Sequence, residues 1–365
     1  MTVAVLVVNA GSSSLKLRLL DDRDNTLAAE DLPDVDHLAQ GMLPDAVERL
    51  AHAGTITAVG HRIVHGGAEF TQATVLEDSV TTRLHDLIDL APLHQPKSLA
   101  ALDAVTAVLP DVPAVACFDT AFHATIPPAA STYAVPREWQ RRYGVRKYGF
   151  HGLSHAYCAG RVADVLGRSR FRTVSCHLGA GASLAAVVDG RCVDTTMGFT
   201  PLDGLIMATR SGSVDPGLVL WLAEHENMSP HEIAEALEHR SGLLALAGTA
   251  DMRQVQCRAD AGDGNARLAL AAYVHRLVTA VGAMAAAAGG LDALAFTGGV
   301  GENSVTVRSM AADRLAHLGI AVDQTANEAA IPDTDISAAT APVRTLVIAA
   351  REDVIIARET RRVLA

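Results

Sequence analysis

Short apolar runs separated by polar turns dominate the first half of the chain and predict a strand-rich start. Val3 to Val8 predicts a buried strand, Leu15 to Leu20 a second, and Asp21 to Asn25 a turn that a third strand follows. The rest of this half predicts, in order, a helix over 39–53, a strand over 56–67 that ends in glycines, helices over 78–109 interrupted at 91–96, a strand over 112–120 and a proline-containing connector over 123–130.

The stretch "VVNAGSSSLKLRLLDD", which begins at Val7, has an echo in "SCHLGAGASLAAVVDG", which begins at Ser175. Both run from an apolar strand through a glycine and serine turn into a second apolar strand and an Asp turn. Either turn alone is more often an ordinary hairpin loop. The repeat favours a duplicated hairpin, with one phosphate-binding turn in each of two lobes. We expect the lobes to comprise residues 1–123 with 354–365, and residues 124–353.

A third glycine turn, over 294–304, follows a short predicted strand and a long Ala-rich stretch. The uncharged run Leu277 to Leu291 is shorter than the roughly 20 apolar residues that span a membrane, so it predicts a buried helix. Residues 344–360 predict a strand and then a helix that opens with acidic residues. None of the three glycine turns fits the P-loop or the dinucleotide-binding fingerprint.

Composition narrows the class of protein. The 365 residues suit two lobes, and an apolar share of 49% with abundant Ala, Gly and Val suits an α/β enzyme. The net charge of -11 and the lack of a Lys/Arg run exclude a nucleic-acid footprint, so an anion site must be built locally from arginines and backbone amides. The five scattered cysteines and the lack of a signal-peptide pattern indicate a cytoplasmic protein.

Charged residues in apolar or strand-end settings are the candidates for chemistry. Arg62 interrupts an apolar strand, where an unpaired charge is costly, and Arg210 lies in a glycine-flanked loop. Each alone is more often structural, but together they indicate a clamp for a carboxylate or phosphoryl group. Asp119 ends a strand and could instead cap a helix. Glu352 could complement the dipole of the last helix or hold magnesium.

Taken together, the motifs of this chain resemble those of the acetate kinase family. They are "VVNAGSSSLK", "HRIVHGG", "APLHQP", "FDTAFH", "YGFHGLSH", "HLGAGAS", "TRSGSVDP", "ADMR", "GGVGEN" and "REDVIIARET", in the family's order. The resemblance implies an α/β fold of two ribonuclease-H-like lobes, each a mixed sheet flanked by helices, around a nucleotide cleft. It also implies a homodimer, Mg2+ or Mn2+, and reversible in-line phosphoryl transfer between ATP and acetate, with acetyl phosphate and ADP as the reverse substrates.

The resemblance also implies roles for individual residues around the acyl group and the γ-phosphoryl. Arg62 and Arg210 would clamp these groups, and His94 would orient the clamp. Asn9 and His151 would donate hydrogen bonds, and His151 and Arg210 would stabilise the transition state. Asp119, Asn9 and Glu352 would position the metal ion. Val64 and Phe150 would form walls of the acyl site. Acetate is ionised at neutral pH, so Asp119 is not needed as a general base.

For the nucleotide, the resemblance implies a site formed by the second and third glycine turns and by "ADMR". Its residues are His177, Leu178, Gly179, Ala180, Gly181, Asp251, Met252, Arg253, Gly299, Val300, Gly301 and Asn303. Lys16 would lie near the phosphates or on the outer face of a strand. Ala180 stands where the family usually has Asn, and Arg351 adds a positive charge beside Glu352.

Two alternatives stay open at this point. Val64, in place of a smaller alanine, resembles members that prefer acetate, yet one methylene discriminates by only about 1–3 kcal/mol, so a propionate or butyrate kinase is the near alternative. A non-catalytic nucleotide-binding module on the same fold is the other. The arginine pair argues against it, and Ala180 argues for it.

Overall fold

The computed structural model describes residues 3–11, 14–33, 42–91 and 95–365. Its strands are β1 Val3–Ala10, β2 Ser14–Leu20, β3 Thr26–Pro33, β4 Thr55–Ile63, β5 Thr74–Val75, β6 Ala114–Phe118, β7 Arg172–Leu178, β8 Ala182–Val188, β9 Arg191–Thr195, β10 Ala293–Thr297, β11 Thr334–Asp335 and β12 Arg344–Val347. The helices are α1 Met42–Ala51, α2 Asp78–Asp86, α3 Gln95–Val108, α4 Pro128–Ser131, α5 Arg137–Tyr143, α6 Gly152–Leu166, α7 Pro216–His225, α8 Pro230–His239, α9 Gly242–Ala247, α10 Met252–Asp260, α11 Gly264–Ala287, α12 Gly298–Asn303, α13 Val305–Arg314, α14 Gln324–Glu328 and α15 Glu352–Leu364.

The described strands form two six-stranded mixed sheets with the same order. The first sheet is β3-β2-β1-β4-β6-β5, and the second, given in the matching direction, is β9-β8-β7-β10-β12-β11. In each sheet the opening hairpin is antiparallel and the next two strands run parallel to its first strand. The duplication predicted from the repeated hairpin is therefore confirmed, and so is the α/β fold of two ribonuclease-H-like sheets flanked by helices.

The first sheet is buried on both faces, which explains the continuous apolar run at its centre. Because side chains alternate along a strand, Leu6 and Val8 of β1 pack toward α1 and α3. Val5 and Val7 point the other way and pack against Val354, with Ile356 and Ala357 from α15 in the same cluster. The last helix of the chain thus covers one face of the first sheet.

The chain divides into two compact units, each with one sheet. The first comprises Met1–Ala124, Phe150–Tyr157 and Arg351–Ala365, and the second Thr125–Gly149 and Cys158–Ala350. The boundaries expected from sequence assigned residues 150–157 to the second lobe, whereas they belong to the first unit. The reason is local, because the Gly152 amide donates to the Asp119 carbonyl at 2.9 Å and a Cβ on Gly152 would lie 2.1 Å from that oxygen. Only glycine permits this approach.

Helix α11 is the long Ala-rich element of the second unit, and it confirms the predicted buried helix. It is longer than the uncharged run that indicated it, and by length and composition alone it could cross a membrane. Its buried residues include Leu270, Val274, Leu277 and Val281, and it contacts β7, β8 and β9. This packing is typical of a core helix.

Two segments expected to be irregular contain helices. The third glycine turn forms α12, because Gly298 takes the turn at φ +77° and the following residues wind into a helix. The connector over 123–130 contains the end of a 3-10 helix at Ala121–Thr125 and the short helix α4, which Pro128 opens at a first-turn position where its missing N–H costs nothing.

The burial of His61 on β4 should make the free energy of unfolding depend on pH. Burial lowers the pKa of His61 to about 3, so the unfolded chain binds a proton at moderately acidic pH that the native protein does not. Stability is then expected to fall as pH drops from about 6.5 toward 3, by up to about 1.4 kcal/mol per pH unit through this residue. Urea titrations of His61→Leu should show a flatter pH dependence. The exposed His52→Gln should behave like the wild type, and identical slopes in all three would contradict the assignment.

Candidate active site

Four polar side chains meet at one edge of the first sheet. Strands β1, β4 and β6 run parallel, so their carboxyl ends share an edge. This edge receives Asn9 from the end of β1, Arg62 from the end of β4 and Asp119 from the residue after β6. Glu352 joins them as the first residue of α15. These four residues are called the arginine–carboxylate cluster below.

Arg62 is the centre of the arginine–carboxylate cluster. Its Nε donates to Asp119 Oδ1 at 3.0 Å and its Nη2 to Asp119 Oδ2 at 2.6 Å, a bidentate pair. Its Nη1 donates to Asn9 Oδ1 at 3.2 Å. Asn9 Nδ2 donates in turn to Glu352 Oε2 at 2.8 Å, and that oxygen lies 4.0 Å from Arg62 Nε. The guanidinium plane is therefore held on several sides, as a preorganised anion clamp requires.

Burial and charge are balanced within the cluster. The Asp119 side chain is 1% exposed, while Arg62 and Glu352 are 14% and 16% exposed, so solvent reaches the outer side only. Burial raises the pKa of Asp119, and the Arg62 guanidinium opposes that rise. Burial alone would lower the pKa of Arg62, but the charges of Asp119 and Glu352 outweigh it and raise the pKa. Arg62 therefore stays cationic.

The segment Phe150–Gly152 closes around Asp119. The backbone of His151 donates to the Asp119 carboxylate, and His151 adopts φ +56°, in the left-handed region that few non-glycine residues occupy. The Phe150 carbonyl is bonded to the His123 ring at 2.9 Å, and the Phe150 ring is buried edge-on to His65. The structure thus places the His151 backbone against Asp119 of the arginine–carboxylate cluster, with Phe150 one residue earlier in the chain.

The remaining site residues predicted for the first unit lie in different environments. Val64 is buried one residue beyond β4. Lys16 is exposed on β2, where it stands directly opposite Asn9 in the antiparallel pair and so shares its face of the sheet. His94, like Ser12 and Ser13 of the first glycine turn, lies outside the described residues.

A pocket of about 550 Å3 lies within the second unit and is called the glycine-lined pocket below. The turn between β7 and β8, the start of α10 and helix α12 form most of it. Eight of the residues predicted for the nucleotide line it: Gly179, Ala180, Asp251, Met252, Arg253, Gly299, Val300 and Asn303. Four others, His177, Leu178, Gly181 and Gly301, belong to the same elements but are not among its described lining residues.

Sequence reasoning missed six lining residues of the glycine-lined pocket. Ala250 is the first residue of the motif "ADMR" and Ser304 ends the third glycine turn, so both lie in segments that the sequence singled out, although neither was named as a nucleotide contact. Gln256 lies one helical turn beyond Met252. Ala208, Leu243 and Tyr273 come from separate elements and carry no signal in the sequence.

Local contacts explain how this pocket is shaped. The Ala180 carbonyl accepts from the Ala208 amide at 3.0 Å, which ties the second glycine turn to the loop before Arg210. Asp251 caps α10 by accepting from the Arg253 amide at 2.9 Å. The Arg253 side chain, 89% exposed, returns to pair with the Asp251 carboxylate. The pair therefore stabilises a helix start and leaves the Arg253 guanidinium at the surface.

Arg210 lies in the loop after β9 and is largely buried. Its Nε lies 3.1 Å from Glu238 Oε2 near the end of α8, and its Nη1 donates to the Pro201 carbonyl at 3.1 Å. Burial raises the pKa of Glu238, and Arg210 opposes that rise. Glu238 was not predicted, since it sits among polar residues of a helix 28 positions away with nothing to mark it.

Arg351, the unusual cation beside Glu352, is neutralised within the first unit. Its Nε and Nη2 bond both carboxylate oxygens of Asp353 at 2.8 to 3.1 Å. This bidentate pair directs the Arg351 guanidinium to Asp353, and the described contacts include no ion pair between Arg351 and Glu352.

Comparison with known proteins places the chain in a family. Residues 33–358 match the model of the Acetokinase family. The acetate kinase of Shouchella clausii is 41% identical, over 98% of each chain. Two solved structures superpose closely: a propionate kinase from Francisella tularensis, with a TM-score of 0.92, 35% identity and coverage of 99% of this chain and 100% of that one, and the Porphyromonas gingivalis acetate kinase, with 0.90, 35% and the same coverage. This chain belongs to the acetokinase family.

Proposed function

We propose that this protein is an acetate kinase, which transfers the γ-phosphoryl group of ATP reversibly to acetate. The observation that carries the proposal is the arginine–carboxylate cluster. It holds a preorganised, partly exposed guanidinium at the carboxyl ends of three parallel strands. Membership of the acetokinase family and the relatives named acetate kinase support the same reaction.

In this proposal, the protein supplies positioning and charge rather than proton transfer. Acetate is already a carboxylate at neutral pH, with a pKa well below 7, so no base has to activate it. Both Asp119 oxygens are engaged by Arg62, which suits a carboxylate that orients the guanidinium. Arg62 would bind acetate, and His151 and Asn9 would donate to the moving phosphoryl group. Arg210 would stabilise the negative charge that spreads over the equatorial oxygens of the phosphoryl group during transfer.

The glycine-lined pocket is our candidate nucleotide site. Gly179 and Gly299 line it, and because they lack side chains they leave room for phosphates to approach the amides. Ala180 offers only its backbone, and its carbonyl is already engaged by Ala208. The missing side-chain amide would weaken nucleotide binding by roughly the 0.5–1.5 kcal/mol of one hydrogen bond without preventing transfer.

Magnesium, or manganese, is proposed as the metal that accompanies ATP, where it would neutralise phosphate charge. Glu352 offers a partly exposed carboxylate, which suits a hard cation. The Asn9 amide nitrogen faces this carboxylate and its oxygen accepts from Arg62, so Asn9 would turn its amide to join the metal. No group of three His, Cys, Asp or Glu side chains arranged for a metal occurs among the described residues. This suits Mg2+, which commonly uses one or two carboxylates together with waters and substrate phosphates.

Glu352→Gln is expected to raise the Mg2+ concentration needed for half-maximal activity by at least about tenfold, because it removes a partly exposed negative charge proposed to hold the ion. Initial rates measured against Mg2+ at saturating ATP would show the shift. Glu359→Gln, on the same helix and paired with Arg362 at the surface, is the matched control. An unchanged Mg2+ dependence in Glu352→Gln would remove this residue from the metal site.

The direct test of the function is an assay that traps acyl phosphate with hydroxylamine. Acetate, propionate and butyrate should be compared as acceptors, with ATP, GTP and pyrophosphate as donors. We expect ATP and acetate to give the highest kcat/KM. No acyl phosphate with any pair, despite ATP binding, would favour the non-catalytic module.

A propionate kinase is the second candidate, favoured by the Francisella tularensis structure. Val64 should decide between them. Val64→Ala is expected to raise the ratio of kcat/KM for propionate over acetate by about tenfold or more, as one methylene in an apolar site allows. Val59→Ala, an equal truncation on the opposite face of the first sheet, controls for lost packing. A ratio that does not move would show that Val64 does not touch the acyl group.

We also propose a cytoplasmic homodimer. Helix α7 supports the dimer, since none of its residues is buried and Leu218, Leu220 and Trp221 are 46%, 62% and 47% exposed. Light scattering should give twice the chain mass, and Leu220→Glu with Trp221→Glu should give the monomer. None of the five cysteines, all of which belong to the described residues, forms a disulfide, which suits a reducing compartment that cell fractionation would test.

A further inference from the structure

A groove within the first unit lies apart from the arginine–carboxylate cluster. It runs between α2 and α3 and is bounded by the loop that leads into β6. Its volume of about 810 Å3 falls within the range of about 300–1,000 Å3 that small-molecule sites occupy. It is called the acidic groove below.

The walls of the acidic groove are apolar and its rim is negative. Leu76, Leu102, Val105, Leu109 and Val112 supply apolar wall surface. The exposed carboxylates on the rim are Glu77, Asp78, Asp103 and Asp111, and no Lys or Arg is among the described lining residues. The His85 ring approaches the rim, with its Nε2 3.7 Å from Asp103 Oδ2. The groove is therefore complementary to a cation that carries an apolar body.

His61 marks the inner end of the acidic groove. It is 1% exposed, and it lines the groove together with Val59, two residues earlier on the same face of β4. Neither ring nitrogen has a hydrogen-bond partner among the described residues. A buried polar group left unsatisfied costs about 1–3 kcal/mol, so a purely structural role would be better filled by leucine.

The neighbouring His65 shows what a structural histidine looks like in this protein. Its Nδ1 accepts from the Gly67 amide at 2.8 Å, and Gln95 bonds both its backbone amide and its carbonyl. His61 has none of these ties. Its ring is neutral, because burial lowers its pKa to about 3, and so it presents one N–H donor and one acceptor nitrogen.

We propose that the acidic groove binds a small organic cation, an ammonium group on an apolar body. The rim carboxylates would attract the ammonium group of the ligand, and the apolar walls would contact its apolar body. A polar atom of the ligand that reached the inner end could form a hydrogen bond with the His61 ring. This site is independent of the proposed kinase reaction. His61 and Arg62 are adjacent on β4, so their side chains point to opposite faces of the first sheet.

Three probes of one size separate charge from shape: benzylamine, benzyl alcohol and benzoate. Each should be titrated into the full chain labelled with 15N-histidine, following the His61 ring signals, which the His61→Leu spectrum assigns. We expect benzylamine to shift the His61 signals and to bind at least about tenfold more tightly than benzyl alcohol. Added salt should weaken this preference, because the rim charges are exposed. Benzoate should not bind.

Variants locate the bound probe. Asp103→Asn with Asp111→Asn should reduce benzylamine affinity by about tenfold or more, while Asp86→Asn, an exposed acid of α2 that does not line the groove, should leave it unchanged. Thr106→Trp, at an exposed lining position of α3, should block binding without disturbing the core. Equal affinity for the three probes, binding that survives Thr106→Trp, or no benzylamine binding at millimolar concentration would each overturn the proposal.

Discussion

Replacing Arg62 with alanine is expected to reduce acetyl phosphate formation by about 10³-fold or more, the scale on which arginines act in phosphoryl transfer. The variant should also lose about 3–5 kcal/mol of stability. Asp119 would remain 1% exposed without its bidentate partner, and a buried charge left alone carries that cost. Hydroxylamine trapping measures the first effect and urea unfolding the second.

The two losses can be separated with a second variant. Arg62→Ala with Asp119→Asn removes the unpaired charge, so stability should partly return while activity stays absent. Arg18→Ala breaks a pair with the exposed Asp31 and should change stability by no more than about 1 kcal/mol, with normal activity. An active double variant would show that Arg62 only neutralises Asp119.

Replacing Arg210 with alanine is expected to lower kcat by about 10³-fold while the KM for ATP changes little, because the proposed contact forms with the transferring group. The folded state should survive, since burial already raises the pKa of Glu238 and the carboxyl can take up a proton once Arg210 is gone. Steady-state kinetics together with a urea midpoint would test both statements.

Two companion variants sharpen the result for Arg210. Arg210→Lys keeps the charge but loses the planar fork, so it should recover only a small part of the rate. Arg253→Ala removes a cation at the surface of the glycine-lined pocket and should alter the KM for ATP at most. If Arg210→Ala raised only the KM for ATP, Arg210 would be a nucleotide contact instead.

The duplication of the fold could be predicted from the sequence because the hairpin beginning at Val7 and its echo at Ser175 share one strand-turn-strand plan. Arg62 and Asp119 were equally visible, as polar residues within or directly after apolar strands. Helix α12 could not be predicted in the same way, because it begins with glycines, which have low helix propensity.

The other features of the site that the sequence does not predict are contacts between residues far apart in the chain. Asn9 and Glu352 are 343 residues apart, and no local pattern predicts that α15 starts beside the end of β1. Glu238 is one of several acidic residues on α8, and only the fold selects it as the partner of Arg210. The tie between Gln95 and His65 is hidden for the same reason, since a glutamine at the start of a helix reads as a surface residue.

The position of α15 sets the order in which a ribosome can complete the two units. Residues 125–149 and 158–350 supply the whole second unit, so its sheet can assemble while the end of the chain is still being made. The face of the first sheet that carries Val5 and Val7 lacks α15 until Val354 and its neighbours emerge. Nascent chains stalled before Arg351 should therefore expose this apolar face, and they should be the species that chaperones retain.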